Sequence, residues 1–95
     1  MRALNLTGKP VNLEDMESYE YEDIILDGPN LTPWEIFNIN LDICNRAKDM
    51  GCEYILVGGS FPHLLVSSLL EEAELSGIEI CYEYILDTGD TVYIS

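Results

Sequence analysis

The chain of 95 residues is long enough for one domain with a modest core, and 47% of its residues are hydrophobic, which excludes a disordered acidic tail. It carries 18 acidic residues against four basic ones, so its net charge is −14. This charge disfavours direct binding to DNA, RNA or an anionic membrane, because those surfaces are bound by clustered Lys and Arg; solubility or attraction of a basic protein would each explain it.

The first predicted element is a strand over residues 2–6, where apolar and smaller side chains alternate. Gly8 and Pro10 follow it, and Pro10 biases Lys9 away from helical angles. We therefore expect Thr7 and Lys9 to project at the end of this strand.

An acidic segment follows at residues 14–27, which hold seven of the 18 acidic residues together with Tyr19 and Tyr21. The composition favours a solvated loop or short helix. The alternative is a docking face for a basic partner, with the tyrosines as anchors. Residues 24–26 predict a short second strand, and residues 27–30 predict the turn that ends it.

The first helix has a clear beginning and a clear end. Thr32 and Glu35 form a capping-box pattern, and Pro33 stands at the first helical position. Gly51 is a natural residue for ending the helix. Apolar residues recur at helical spacing and predict a broad face that packs against a sheet. They are Ile36, Phe37, Ile39, Leu41, Ile43, Cys44, Ala47 and Met50.

A strand, a glycine turn and a helix start follow in close succession. Residues 52–57 predict a buried strand of a parallel sheet. Gly58 and Gly59 allow backbone angles that a Cβ would forbid, Ser60 can cap the next helix, and Pro62 suits its first turn.

The rest of the chain predicts a helix over residues 62–75, stopped by Gly77, and then a hairpin. Its strands are residues 78–86 and 91–94, joined by a turn at residues 87–90. The expected fold is a single α/β domain over residues 1–95. It is a small Rossmann-like unit with a mostly parallel sheet of four to five strands, two main helices and a C-terminal β-hairpin.

The turn of Gly58, Gly59 and Ser60 is the strongest candidate site. It would lie at the carboxyl end of a strand, where open α/β sheets hold ligands, and beside a helix start, which favours anions. The alternative is that these glycines serve packing alone. The turn matches neither a dinucleotide-binding fingerprint nor a P-loop, so a phosphate would be held by backbone N–H groups and Ser60.

His63, the only histidine, would stand in the first turn of the second helix. A helix N-terminus disfavours the imidazolium, so a neutral ring there could accept a proton or polarise a phosphate ester. His63 is therefore the candidate catalytic residue. The alternative is an exposed or capping histidine.

Other kinds of site find less support. Cys44, Cys52 and Cys81 lack paired spacing, and they suggest buried, reduced thiols in a cytoplasmic protein. Asp87 and Asp90 are better explained by turn formation than by a cation. No metal, no cofactor, no secretory signal and no membrane span is predicted.

Two stretches resemble the small Rossmann-like proteins associated with CRISPR loci, including the CARF-type sensors. They are residues 2–7, a strand ending in a polar residue, and residues 54–60, followed by an apolar helix and the run at residues 77–80. The resemblance implies a homodimer in antiviral defence that binds a cyclic oligoadenylate across its two-fold axis. It implies ligand contacts from Thr7 and the glycine turn, with Lys9 the basic residue nearby.

Two functions therefore stand as hypotheses. The first is a small nucleotide-binding domain that binds, or slowly cleaves, a cyclic oligoadenylate-type messenger; whether it is an enzyme stays open. The alternative is an acidic protein-interaction module, or an inhibitor that mimics nucleic-acid charge. A glycine-turn variant would impair only the first, and neutralisation of acidic residues only the second.

Overall fold

A five-stranded sheet with two helices on one face forms the part of the chain that the computed structural model describes, residues 1–21, 31–58 and 63–95. The strands lie in the order β2-β1-β3-β4-β5, all parallel except for the antiparallel pair β4 and β5. The predicted α/β class and the final hairpin are confirmed. The elements are β1 Arg2–Asn5, β2 Glu17–Glu20, α1 Pro33–Asp49, β3 Tyr54–Val57, α2 His63–Ser76, β4 Glu79–Ile85 and β5 Thr91–Ile94.

The ends of α1 follow the predicted signals. Glu35 donates its backbone N–H to Thr32 Oγ1 at 3.2 Å, and Thr32 returns its own N–H to Glu35 Oε1 at 3.4 Å. These bonds satisfy donors that a helix N-terminus otherwise leaves without partners. At the other end Met50 caps the helix, and Gly51 turns the chain with a φ of 69°.

Alternation along the strands divides the apolar residues between two faces of the sheet. Leu4, Ile55 and Ile80 point to the face that α1 and α2 cover, where both helices add to one core. Ala3, Leu56 and Cys81 point to the opposite face. The helices contribute Ile43, Cys44, Ala47, Leu65, Leu69 and Ala73. The opposite face is partly covered by Val11 and Met16, from the connection between β1 and β2.

The expectation of a loop or short helix in the acidic segment is wrong for Glu17–Glu20, which form β2 parallel to β1. Tyr19 packs against the helix-side core, whereas Glu17 and Glu20 are exposed. An edge strand tolerates carboxylates because only one of its sides is paired. The strand predicted at residues 24–26 and the turn after it lie outside the described residues.

The predicted apolar face of α1 is broader than the surface it buries. Phe37, Leu41 and Met50 are exposed, whereas Asn40 is completely buried. Trp34 is 70% exposed, and its ring stacks on Phe37 with the centroids 6.0 Å apart. Only the part of this face that meets α2 and the sheet is core.

Loss of the capping hydroxyl should weaken the fold measurably. Thr32→Ala is expected to lower the free energy of unfolding by about 1 kcal/mol, because Glu35 N–H loses its acceptor. Urea denaturation followed by circular dichroism measures this. Thr32→Ser keeps the oxygen and should stay close to the parent. Equal stability of the Ala variant and the parent would contradict the capping role.

Candidate functional site

The connections that leave β1 and β3 run to opposite faces of the sheet. The β1–β2 connection supplies Val11 and Met16 to the face opposite the helices, and β3 leads into α2 on the helix face. Neighbouring strands whose connections diverge in this way mark the place where open α/β sheets bind ligands. The topology therefore favours the carboxyl ends of β1 and β3 as the place for a ligand.

The predicted ligand residues after β1 are engaged in a local hydrogen-bond network. Asn5 Oδ1 accepts from the backbone N–H of Thr7 at 2.9 Å and from its hydroxyl at 2.6 Å. Asn5 Nδ2 donates to the carbonyl of Lys9 at 2.8 Å. Asn5 and Thr7 are both buried. Their side chains therefore hold the turn after β1 in place, and the Thr7 hydroxyl points into the protein.

Gly58 is required by close packing between two backbones. A Cβ built on Gly58 would lie 3.2 Å from Thr7 Cα and 3.4 Å from Thr7 O. Its φ is not among the positive values found at Gly8, Gly51, Gly77 and Gly89. Gly58 therefore does not use the backbone freedom that glycine allows, and the alternative of a packing role describes this residue. A small residue is needed here because the backbone of Thr7, just after β1, passes close to Gly58.

Lys9 reaches across the sheet to a carboxylate on β4. Its Nζ lies 3.0 Å from Glu83 Oε2, and the Glu83 side chain is only 9% exposed. Burial raises the pKa of Tyr93 on β5, and the Glu83 charge raises it further, whereas Lys9 lowers it. The only basic side chain predicted for the ligand site is thus neutralised by the protein itself.

The structure describes only part of the remaining predicted site, which consists of Gly59, Ser60 and His63. Gly59 and Ser60 lie outside the described residues. His63 is the first residue of α2, which starts at the carboxyl edge of the sheet after β3, and only its backbone is described. The contact of His63 with a ligand thus stays a prediction.

Asn40 is a buried polar residue to which the sequence analysis gave no role. It donates from Nδ2 to the carbonyl of Leu65 in the first turn of α2 at 3.3 Å, which ties the two helices together. Its Oδ1 has no hydrogen-bond partner within the described ranges. The sequence contained a signal for its burial, because Asn40 stands at helical spacing between the apolar residues Ile36 and Cys44.

The three cysteines are free and buried, as predicted. Burial raises the pKa of each thiol above its ordinary value. For Cys44 the charge of Glu72 raises the pKa further. These thiols are protonated at neutral pH, and their surroundings do not activate them as nucleophiles.

The chain matches no protein-family model, and comparison with curated proteins and with solved structures gave no significant match. The resemblance to CARF-type proteins therefore stays a prediction. Neither described helix is long and apolar enough to cross a bilayer. Within residues 1–21, 31–58 and 63–95, no three His, Cys, Asp or Glu side chains are grouped as a metal ion requires.

Substitution of Gly58 should destabilise the fold through its contact with Thr7. Gly58→Asn is expected to lower the free energy of unfolding by roughly 1–3 kcal/mol, because the Thr7 backbone cannot move aside. Urea denaturation measures the effect. The matched variant is Gly8→Asn, at a site with open space and a φ of 78° that Asn tolerates better than other side chains. Equal costs at the two positions would refute the packing role.

The buried thiols should make stability fall at alkaline pH. Because their pKa is raised in the folded state, the unfolded state loses these protons first. The thiols' contribution is complete below their unfolded pKa of about 8.5 and is lost as pH rises toward the folded values. Urea unfolding between about pH 7 and pH 10 should show this decline. A variant with all three cysteines replaced by Ala should show a shallower one, and an unchanged slope would contradict the assignment.

Proposed function

We propose that this protein is an acidic interaction module that binds a basic partner protein. The observation that carries the proposal is the distribution of charge over the fold. All four basic residues lie within residues 1–48, and residues 49–95 contain no Lys or Arg. That second part nevertheless holds nine of the 18 acidic residues: Asp49, Glu53, Glu71, Glu72, Glu74, Glu79, Glu83, Asp87 and Asp90.

The basic residues of the first part are largely neutralised within the chain. Arg2 lies 3.6 Å from Glu17, and Lys9 lies 3.0 Å from Glu83. Arg46 lies 3.2 Å from Asp42, and its guanidinium stands over the ring of Tyr21. These pairs leave the protein with a surface potential that attracts cations and cationic proteins.

The tyrosines of the acidic segment do not supply exposed anchors for that partner. Tyr19 and Tyr21 are half-buried and pack against the core. Tyr21 also donates its hydroxyl to Asp42 at 2.6 Å. Support for the proposal therefore comes from the acidic residues of α2 and the hairpin, and not from residues 14–21.

Selection from a random displayed peptide library tests the proposal without a known partner. We expect enrichment of sequences with an excess of Lys and Arg, and a binding affinity that falls as salt is raised. Neutralising Glu71 and Glu74 on α2 to Gln should weaken binding more than neutralising Glu14 and Asp15 to the corresponding amides. Failure to enrich any peptide, enrichment of neutral or acidic ones, or equal effects of the two pairs would contradict the proposal.

A second candidate is nucleotide binding, which the strand order favours. The order β2-β1-β3-β4 places the divergence of connections between β1 and β3, where doubly wound proteins hold their nucleotides. The candidate residues remain Gly58, Gly59, Ser60 and His63. Calorimetry with cyclic and linear oligoadenylates tests it. Heat that disappears in Gly59→Val would support it, and the absence of heat with every nucleotide would remove it.

A further inference from the structure

We propose that β5 is the docking strand for the basic partner, which adds an extended segment to the open edge of the sheet. The inference deepens the proposed function and rests on it. It names the surface, the conformation of the bound segment and its composition, an alternation of apolar and cationic residues. The whole hairpin, residues 79–94, lies within the part of the chain that the structure describes.

The backbone of β5 presents free hydrogen-bonding groups on its outer side. Leu86 donates its N–H to the carbonyl of Asp90 at 2.8 Å, which makes this the first hydrogen-bonded pair of the hairpin. Hydrogen-bonded pairs alternate along an antiparallel ladder, so Val92 and Ile94 bond to β4. The N–H and C=O groups of Thr91 and Tyr93 therefore point away from β4, at the last strand of the described sheet.

The two edges of the sheet differ in a way that favours docking at β5. At the β2 edge, two of the four residues are the exposed carboxylates Glu17 and Glu20. β5 has the sequence Thr-Val-Tyr-Ile, with no charge and no proline. Charges and prolines are the usual protection of an edge against pairing with another chain. β5 lacks both, and its β-branched and aromatic residues favour strand pairing.

An exposed apolar surface lies beside this edge, on the helix side of the hairpin. Register places Tyr82 opposite Ile94 and Tyr84 opposite Val92, so the four side chains share one face. Tyr84 is 59% exposed and Ile94 is 55% exposed. Alternate side chains of an added strand would extend this face and bury part of it. Tyrosines at such a surface are frequent anchors in interfaces.

The acidic residues of the hairpin determine which kind of chain can pair with the β5 edge. Asp87 and Asp90 are exposed at the hairpin turn. Among the described residues, Lys9 is the only Lys or Arg that forms an ion pair with the hairpin, and its partner is Glu83. A second copy would bring the same acidic turn and another net charge of −14 to this edge, which opposes self-pairing. A cationic segment is attracted by the same charges. β-Augmentation by a basic peptide therefore fits the edge better than a homodimer.

Two variants test the hairpin edge, using a basic peptide taken from the library selection. Thr91→Pro removes one outward N–H while every bond to β4 remains, because proline is tolerated at the first residue of an edge strand. Its control, Thr91→Val, keeps the N–H. Tyr84→Lys disrupts the apolar face, and Phe37→Lys on α1 is matched to it in charge change and aromatic loss. Fluorescence anisotropy measures affinity, and circular dichroism verifies folding.

We expect Thr91→Pro and Tyr84→Lys each to weaken binding by about fivefold to tenfold, with both controls within about twofold of the parent. Equal affinities for each variant and its control would overturn the docking site while leaving the acidic module intact. A parent that binds no basic peptide would instead remove the proposed function itself. Dimerisation of the parent that Thr91→Pro abolishes would also overturn the inference, since a second copy would then occupy the edge. If Thr91→Pro fails to fold, the Tyr84 and Phe37 pair decides.

Discussion

Two helices cannot cover a five-stranded sheet, and this difference in width determines which apolar surface stays in contact with water. A helix with its side chains is about 10 Å across, and neighbouring strands are about 4.8 Å apart, so two helices cover roughly four strands. Ile78, just before the strand β4, and Ile80, near its start, are buried in the helix-side core. Further along the same face, Tyr82 and Tyr84 are exposed. The helix-side face of the hairpin is thus apolar like the core at this point, but neither of the two described helices covers it there.

The carboxyl edge of the sheet is organised differently, because its polar groups are used within the protein. Asn5 and Thr7 satisfy each other and the turn that follows β1, and Gly58 lets β3 approach Thr7 closely. Lys9 forms an ion pair with Glu83 on β4, two strands away from β1 in the sheet. These contacts stabilise the junction of β1 with β3. They also leave fewer groups available for a ligand there than the sequence suggested.

The excess of acidic residues and the open edge of the sheet occur in the same part of the molecule. β3, α2 and the hairpin all lie within residues 49–95, a part of the sequence that contains acidic residues and no Lys or Arg. An acidic surface next to an open strand edge resists pairing with a copy of itself and attracts a cationic chain. The opposite edge, β2, carries its own carboxylates and is protected by them. Charged side chains therefore protect the β2 edge against pairing with another strand. At the β5 edge, the neighbouring acidic residues favour a cationic chain over a second copy of this one.

Most of the fold could be predicted from local signals. The capping box joins two near neighbours in sequence, Thr32 and Glu35, and it correctly predicted the start of α1. The alternation of apolar residues after Gly77 is also a local pattern, and it correctly predicted the hairpin. β2 was missed because its exposed acidic residues resemble a loop, and its single buried-side residue Tyr19 is too weak a signal. A packing role for Gly58 was one of the alternatives open from the sequence. Its contact with Thr7 and the pairing of Lys9 with Glu83 could not be predicted, since each joins residues at least 50 positions apart that only the folded sheet brings close.

The most direct test of the account is amide hydrogen exchange along β5, measured by NMR with and without a basic peptide from the library selection. In the free protein, the amides of Thr91 and Tyr93 should exchange fast and those of Val92 and Ile94 slowly, because only the latter pair bonds to β4. Saturating peptide should slow Thr91 and Tyr93 selectively. Protection of these two amides in the free protein, or protection by peptide that appears elsewhere and leaves them unchanged, would contradict the account.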